Sequence, residues 1–361
     1  MEISIISLTP FLIDPTSEES KSECRKAAES LILTGALIVR DERTPKEAND
    51  RFLDLFEDYF NQSQEELRRD ERPEVGYQVG VTLENTEKPK CASDENCQSI
   101  ISSLEKGERP VDLGGHGADP KCRFFHRMSE KPPYTSHFPV LEAPNVIPER
   151  FVNTWEDGVN EWGGFMKQAV EGVAKMVACG LGSDVDTFTD AGRYGSHLLA
   201  PTATDLVKYG KLNTIYAGFH TDLNFLTIHG QSRYPGLHIW ARNSGKKIQV
   251  KIPPGCLLVQ AGKQIEWLTG GLIKAGYHEV VCTQATLDTV ERRKEAFPDR
   301  PLIRISSTFF WHLTPDFNLT PIPTLKKEAE NRFGKQEEYG EMLVGDQVRR
   351  ELGLIALMVP S

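Results

Sequence analysis

The distribution of apolar positions predicts helices in the N-terminal part of the chain and short strands in the C-terminal part. Residues 3–13 predict a short strand that runs into a turn at Pro10. Ser17, followed by two glutamates, is typical of a helix start, with a polar cap and acids in the first turn. The predicted helix ends at Gly35, and the apolar run 36–39 predicts a buried strand after it.

Three further stretches have helical patterns. A second helix is predicted from about Thr44, because large apolar residues follow at amphipathic spacing. A helix pair is predicted over 148–180, with a periodicity typical of core packing. A polar helical segment is predicted over 324–350. Between these stretches, residues 83–122 are rich in charged residues, glycine and proline, and they predict an irregular surface excursion.

From about Gly195, short apolar runs alternate with turn sequences at intervals of about ten residues. This alternation is typical of a β-sandwich or barrel. The predicted fold class is therefore α+β with a mainly β core, N-terminal supporting helices and a C-terminal helix. The strands are predicted over 213–219, 224–229, 237–241, 249–252, 256–261, 278–282 and 303–310.

Composition and charge narrow the classes of partner. The 361 residues are 39% hydrophobic and 26% charged, as in ordinary soluble globular proteins. The net charge of -10 repels phosphate backbones and anionic membranes, and no basic stripe offsets it. We therefore expect neither a nucleic-acid partner nor a membrane partner. Residues 1–7 lack the basic start of a secretory signal, which predicts a cytoplasmic protein.

The cysteines indicate a reducing compartment. There are seven of them, an odd number, and no two form a CxxC pair. Cys91 and Cys97 are near enough in sequence to pair, but two free loop thiols are the preferred interpretation.

The strand-rich part carries a candidate metal site. His220-Thr221-Asp222 is the single H-x-[DE] match in the chain, and in a strand its first and third side chains point to the same side. His278 follows a glycine-rich turn and opens a later predicted strand. Two imidazoles and one carboxylate are the ligand set that leaves adjacent positions open on ferrous iron. His220, Asp222 and His278 are therefore the predicted metal ligands.

Three other histidines are less suitable as the third ligand, and an arginine further along the chain could bind a cosubstrate. His229 and His238 are expected on strands that run away from the site, and His312 comes after the last strand begins. Arg304 and Ser306 form an R-x-S sequence whose guanidinium and hydroxyl groups suit the remote carboxylate of a keto-acid cosubstrate.

Together these residues resemble the Fe(II)/2-oxoglutarate-dependent dioxygenases of the isopenicillin N synthase type. Pro235-Gly236-Leu237-His238-Ile239 is similar to the P-G-L-x-[VI] strand of that family, and 254–262 is similar to its P-G-x-x-x-V-x-x-G segment. The resemblance implies a double-stranded β-helix, or jelly roll. The implied domains are an N-terminal extension, a helix pair plus catalytic core, and a C-terminal helical segment, at 1–145, 146–322 and 323–361.

The resemblance also implies the roles of the site residues. His220, Asp222 and His278 become the catalytic iron ligands, and Arg304 and Ser306 become the anchors of the 2-oxoglutarate C5 carboxylate. The implied cofactors are Fe(II), 2-oxoglutarate and O2. The expected reaction oxidises an unactivated C–H bond of a small metabolite by hydroxylation, desaturation or oxidative cyclisation, with release of succinate and CO2. Amino acids and natural-product precursors are the candidate substrates, and the protein is expected to be a monomer or homodimer.

Several features depart from the family pattern. Leu198-Leu199-Ala200-Pro201 stands where the family has N-x-Y-P, so Thr202 and Tyr216 remain as candidates for the second cosubstrate anchor. Glu279 stands where the family has arginine, and 284–301 predicts an inserted loop or helix. Candidate substrate contacts, for which core packing or exposure is the preferred interpretation, are Arg127, Tyr77, Trp267, Phe309 and Trp311.

Three alternative functions remain at this stage. A cosubstrate-independent iron oxidase of the isopenicillin N synthase kind would use the same ligands to form a ring. A zinc hydrolase would also use them, but the chain has no H-E-x-x-H arrangement to supply a general base. A jelly-roll binding module without catalysis would retain no iron.

Overall fold

A computed structural model describes residues 3–89, 91, 94–114 and 116–355, so the outer ends of the predicted segments 1–145 and 323–361 lie outside the described residues. Among the described residues, the helices are α1 Thr9–Ile13, α2 Glu18–Thr34, α3 Lys46–Phe60, α4 Gln64–Arg68, α5 Glu95–Ser103, α6 Trp155–Gly180, α7 Thr187–Ala191, α8 Leu206–Tyr209, α9 Lys263–Leu268, α10 Gln284–Ala296, α11 Pro323–Phe333 and α12 Val344–Leu354.

The strands lie mostly where the apolar runs predict them. They are β1 Ile5–Ser7, β2 Ala36–Arg40, β3 Gly80–Thr82, β4 Cys122–Arg127, β5 Leu198–Leu199, β6 Thr202–Asp205, β7 Ile215–His220, β8 Leu226–His229, β9 Leu237–Trp240, β10 Lys247–Gln249, β11 Cys256–Ala261, β12 Tyr277–Val281, β13 Ile303–Ser306 and β14 Thr308–Trp311.

Local capping explains why the first long helix begins and ends where the sequence predicts. The Ser17 hydroxyl accepts a hydrogen bond from the backbone N–H of Ser20, which satisfies one free donor of the first turn of α2. Gly35 ends the helix with φ of 72°, a left-handed conformation that glycine adopts without steric cost. The predicted turn at Pro10 is instead the start of α1, because proline is tolerated in the first turn of a helix.

The helix pair predicted over 148–180 is one continuous helix, α6. Its apolar residues are buried along 26 residues, and no proline or left-handed residue interrupts it. This helix packs on α2 and α3 on one side and on strands β8 and β14 on the other. The hydrophobic core between the N-terminal helices and the large sheet is therefore built around α6.

Two sheets form the β core. The large sheet has the order β1-β2-β11-β8-β14-β5-β4-β6-β13 with β3 beside β4, and the small sheet has the order β10-β9-β12-β7. The strand predicted over 303–310 is interrupted at Ser307. Its first half, β13, pairs with β6, and its second half, β14, pairs with β5 and β8.

Two other segments that the sequence singles out contain helices. The insertion 284–301 contains helix α10, which begins at a capping box formed by Thr283 and Thr286. The C-terminal helical segment consists of two helices, α11 and α12, instead of one. In the described part of the chain, none of the helices combines the length and the apolar character that a membrane span requires.

The described part of 83–122 has more regular structure than the predicted surface excursion. It contains α5 and leads into β4, and three of its acidic side chains, Glu87, Asp112 and Asp119, are buried. Cys91 and Cys97 are joined by a disulfide, so the preferred interpretation of two free thiols was wrong. The start of α5 brings their Cα atoms to 5.3 Å, a distance that a disulfide spans.

Candidate metal centre and its cavity

The three predicted metal ligands meet beside two neighbouring strands of the small sheet. His220 ends β7 and lies directly opposite His278 of β12 in the antiparallel pairing. Their ring centres are 4.2 Å apart. Asp222 follows the end of β7, and its Oδ1 atom lies 3.7 Å from Nε2 of His220 and 3.8 Å from Nε2 of His278. One ligand atom from each residue lies within 4.8 Å of the other two.

The surrounding hydrogen bonds leave these three atoms available to a cation. Nδ1 of His220 donates to the carbonyl oxygen of Gly218 over 2.6 Å, which leaves the lone pair on Nε2. Oδ2 of Asp222 accepts from the Thr227 hydroxyl over 2.6 Å, which leaves Oδ1. Nδ1 of His278 is buried and has no partner among the described residues. The donor set therefore fits ferrous iron.

The protonation states of two ligands also suit a metal. Burial, and next the charge of His278, lower the pKa of His220 to about 4, so its imidazole is neutral at neutral pH. Burial acts to raise the pKa of Asp222, but the neighbouring imidazoles of His278 and His220 and the bond from Thr227 outweigh it, and the pKa is lowered. A neutral imidazole and an ionised carboxylate are the forms that bind metal ions.

A cavity of about 180 Å³ lies between the two sheets and is lined by all five predicted site residues. Arg304 and Ser306 of β13 reach it from the large sheet, opposite Thr204 and Thr202 of β6. Directly opposed residues of antiparallel strands share a face, so this pair of strands presents a polar surface to the cavity. The apolar Ile305, between them, points to the helical core.

Arg304 is a buried cation without a carboxylate partner. It is 5% exposed, and its Nε donates to the carbonyl oxygen of Pro235 over 3.3 Å. Among the described residues, no acidic side chain lies within ion-pair distance of it, and burial lowers its pKa to about 10. The guanidinium thus stays charged at neutral pH. An unpaired buried charge costs several kcal/mol, by order of magnitude, so this position fits an anionic ligand.

Two polar side chains beside Arg304 differ in their free hydrogen-bonding capacity. The Thr202 hydroxyl donates to the carbonyl oxygen of Ala200 over 3.2 Å. The Tyr216 hydroxyl is buried beside the weakly accepting thiol of Cys282, and burial, followed by the bond to Cys282, raises its pKa. Both residues line the cavity. Tyr216 therefore has the larger unused capacity to bind a ligand.

Two histidines that the sequence placed elsewhere also line the cavity. The expectation that His229 lies away from the site was wrong, because β8 pairs with β14 and brings His229 opposite Thr308. Its two ring nitrogens are engaged by Thr308 and Gln260, at 3.1 and 3.0 Å, so it offers no free ligand atom. His312 lines the cavity too, whereas His238 does not.

The five candidate substrate contacts lie away from the cavity, in line with the preferred interpretation of core packing or exposure. None of the five lines the cavity, which instead receives Phe310 and Phe125. Phe309 and Trp311 are fully buried in the core. The reason is the two-residue period of a strand, since Phe310 points to the opposite face from its neighbours. The alternation was visible in the sequence, but which face met the cavity was not.

A buried network attaches the segment 111–121 to the metal-bearing strands. Nδ1 of His116 lies 3.0 Å from Asp112 and its Nε2 lies 2.9 Å from Asp119. These two carboxylates accept hydrogen bonds from the backbone N–H groups of Phe219 and Gly218, next to His220. The segment thereby supports the strand that ends in a metal ligand.

Glu279 provides the second attachment of this segment and explains one departure from the family pattern. Its carboxylate is fully buried and accepts hydrogen bonds from the backbone N–H groups of Val111 and Asp112. Nζ of Lys247 donates to it over 2.7 Å. An arginine here would be unable to accept these bonds.

Removing the charge of His116 should make the stability of the protein less dependent on pH. Hydrogen bonds to Asp112 and Asp119 raise the pKa of His116 from 6.5 to about 9. Its contribution to the free energy of unfolding is therefore complete below 6.5 and is lost as the pH rises through about 9. We expect His116→Leu to cost about 3 kcal/mol at neutral pH, since two buried carboxylates lose their cation.

Urea unfolding of the wild type and of His116→Leu across this pH range measures the effect. The difference between the two proteins should shrink above about pH 9, with His116→Gln intermediate because it retains an N–H donor. An equal difference at every pH would show that the imidazolium contributes nothing.

Comparisons with known proteins give a superfamily match in the strand-rich part of the chain. Residues 199–313 match the profile of the 2OG-Fe(II) oxygenase superfamily, and this range contains all five predicted site residues. Over 197 residues, or 52% of its length, the chain is 24% identical to flavonol synthase/flavanone 3-hydroxylase of Petunia hybrida. The alignment covers 49%, or about half, of the length of that relative.

Solved structures share the whole fold at low sequence identity. A full-length protein of Neurospora crassa, solved in complex with alpha-KG, superposes with a TM-score of 0.72 at 17% identity, over 97% of this chain and 96% of that one. A 2OG-Fe(II) oxygenase family protein of Caulobacter crescentus gives a TM-score of 0.70 at 17% identity, over 98% and 99%. The predicted jelly-roll fold is confirmed, and the predicted Fe(II) and 2-oxoglutarate are the cofactors of the matched superfamily.

Proposed function

We propose that the chain is an oxygenase that requires Fe(II) and 2-oxoglutarate, because residues 199–313 match the profile of the 2OG-Fe(II) oxygenase superfamily. It oxidises an unactivated C–H bond of a small metabolite by hydroxylation, desaturation or oxidative cyclisation. Bound iron and 2-oxoglutarate supply the oxidising chemistry, in which O2 is consumed and the keto acid is converted to succinate and CO2. Amino acids and natural-product precursors are the substrate classes to test, and a monomer or homodimer is the expected assembly.

In this proposal the protein side chains hold and orient the reactants. Nε2 of His220, Oδ1 of Asp222 and Nε2 of His278 hold the iron, since these atoms converge and have no other strong partner. The Thr227 hydroxyl fixes the rotation of the Asp222 carboxylate, and Gly218 fixes the His220 ring.

The observation that carries the proposal is the buried, unpaired guanidinium of Arg304. A planar guanidinium suits the distal carboxylate of 2-oxoglutarate, and each charge-assisted hydrogen bond contributes about 1.5–3 kcal/mol. Ser306 is the second donor to that carboxylate in the proposal. The alternative, an iron oxidase without a cosubstrate, would leave Arg304 buried with no counter-ion among the described residues, so we favour the 2-oxoglutarate-dependent reaction.

We assign the second cosubstrate anchor to Tyr216 and not to Thr202. The Tyr216 hydroxyl is buried at the cavity with the thiol of Cys282 as its partner, whereas the Thr202 hydroxyl donates to the carbonyl oxygen of Ala200. A phenol at this position replaces the tyrosine of the family element that this chain lacks. The physical basis is that a thiol is a weak acceptor, so a carboxylate ligand is a better acceptor for the Tyr216 hydroxyl than Cys282 is.

Reconstitution without oxygen tests the proposed function. Fe(II) and 2-oxoglutarate added together under nitrogen should produce a weak visible absorption band that neither produces alone. Admission of O2 with a panel of amino acids and natural-product precursors should then release succinate, and the correct substrate class should stimulate it. Substrate oxidation without any succinate would support the cosubstrate-independent oxidase instead.

A further inference from the structure

A second arginine, Arg123, lines the cavity at a distance from Arg304. It lies on β4, directly opposite Thr202 of β6, which is opposite Ser306 of β13. Because directly opposed residues share a face, Arg123 and Ser306 point into the same cavity. Their strands, β4 and β13, lie on either side of β6. Two strand spacings are about 10 Å. An anion bound by Arg123 would therefore be distinct from one bound by Arg304 and Ser306.

Arg123 is the last member of a row of alternating charges, which we call the charge row. Successive charged groups in it are 2.6 to 3.1 Å apart. At the end away from Arg123, the two carboxylate oxygens of Asp112 also accept hydrogen bonds from the backbone N–H groups of Gly114 and Phe219. The members of the charge row, in order, are Asp112, His116, Asp119, Lys121, Glu87 and Arg123.

The charge row is incomplete at the cavity. Each carboxylate in it has donors on two sides, whereas the Arg123 guanidinium has only Glu87, which it shares with Lys121. Nη2 of Arg123 is ion-paired with Glu87 at 2.6 Å, whereas the buried Nε has no hydrogen-bond partner among the described residues. Buried donors without acceptors are costly, and the group that would continue the alternation is an anion.

Apolar side chains surround this end of the cavity. The Arg123 guanidinium lies 3.8 Å from the ring centre of Phe125, and Phe310 meets that ring edge-on at 6.0 Å. Leu198 packs in the same cluster. A ligand bound here would thus place its charged group on Arg123 and its apolar body against two aromatic rings.

We infer that Arg123 binds a carboxylate of the substrate, so that the oxidised metabolite is a carboxylic acid with an apolar or aromatic body. This inference rests on the proposed function, because it assigns the anion at Arg304 to 2-oxoglutarate and the anion at Arg123 to the substrate. Arg123 is a specificity-determining residue in this assignment. Its planar fork suits a carboxylate, and stacking on Phe125 holds the fork in place.

The test uses the full chain loaded with Fe(II) and saturating 2-oxoglutarate under nitrogen. Phenylacetate and hydrocinnamate are titrated as probes, each against its own primary amide, which has the same shape but no charge. Calorimetry measures the affinity, and the visible band reports whether iron and 2-oxoglutarate stay bound. Saturating 2-oxoglutarate prevents the probes from occupying the Arg304 position.

We expect the wild type to bind a carboxylate probe at least about tenfold more tightly than its amide, and Arg123→Met to lose that preference. Glu87→Gln removes the competing carboxylate and should strengthen binding of the carboxylate probes. The matched control is Arg127→Met, which alters an arginine on the same strand that does not line the cavity and should keep the preference.

Either of two results would overturn the inference while leaving the proposed function intact. One is a wild type that forms the iron and 2-oxoglutarate complex but binds the acids no better than the amides at millimolar concentration. The other is an Arg123→Met protein that folds, forms the complex and keeps the preference. Failure of the wild type to form the complex at all would refute the proposed function and the inference with it.

Discussion

Asp222→Ala is expected to abolish metal binding and substrate-dependent succinate formation while the protein remains folded. The carboxylate is the anionic member of the ligand set, and its Oδ1 atom faces both imidazoles. Loss of a residue that only hydrogen-bonds to a metal ligand lowers metal affinity by roughly 10- to 100-fold. Because Asp222 is itself a predicted ligand, we expect the affinity for Fe(II) to fall by more than this. The free energy of unfolding should change by no more than about 2 kcal/mol, because the truncation removes one acceptor of the Thr227 hydroxyl, which retains Oδ1 of Asn224 at 3.1 Å.

Iron content after anaerobic dialysis and the thermal unfolding curve measure the two effects. Thr227→Val should give a graded result, with iron affinity about 10- to 100-fold lower and the ligand atoms still present. Asp288→Ala, on the exposed surface of α10, is the matched control and should behave as the wild type. Full turnover of Asp222→Ala in excess iron would refute this ligand assignment.

Arg304→Met is expected to have opposite effects on cosubstrate affinity and on the stability of the ligand-free protein. Loss of the guanidinium should raise the KM for 2-oxoglutarate by about a hundredfold or more, since two charge-assisted hydrogen bonds are removed. The ligand-free protein should become more stable by about 1 kcal/mol or more, because Arg304 is buried without a carboxylate partner among the described residues. A purely structural arginine would show the reverse effect on stability.

Thermal unfolding with and without 2-oxoglutarate separates these effects. The ligand should stabilise the wild type by about 2.7 kcal/mol at a concentration of about 100 times Kd, and should leave Arg304→Met unchanged at that concentration. Arg304→Lys is the charge-preserving control and should retain part of the affinity, because a lysine offers no planar fork. Unchanged affinity in Arg304→Met would place the distal carboxylate of 2-oxoglutarate elsewhere.

Local sequence patterns predicted many of the helices and strands, and the predictions that failed did so for physical reasons. The cap at Ser17 and the left-handed Gly35 are signals that the nearest residues supply, so α2 was located to within a residue. The helix pair over 148–180 was wrong because the stretch has helical periodicity throughout and only the packed core shows that nothing breaks it. The single strand over 303–310 was wrong because its halves have partners in different strands.

The candidate site likewise combines features that local sequence determines with features that only the fold determines. Strand alternation, a local property, predicted that His220 and Asp222 share one side of the chain, although β7 ends at His220 and Asp222 follows it. That His278 lies opposite His220 depends on the pairing of β12 with β7, which joins distant parts of the sequence. The charged segment 83–122 was predicted to be surface because its composition is polar. Ion pairing instead buries Glu87, Asp112 and Asp119 within it, and composition carries no information about which charges meet.

The sequence by itself determined the type and order of most elements, the ligand chemistry and the resemblance that implied the cofactors, because these depend on residue type and on spacing within one element. Only the tertiary structure decided that Arg304 is buried without a counter-charge among the described residues, that Phe310 and not its neighbours faces the cavity, and that Arg123 stands in the same cavity. Burial, strand pairing and the meeting of charges are relations between distant residues, and no local pattern encodes them.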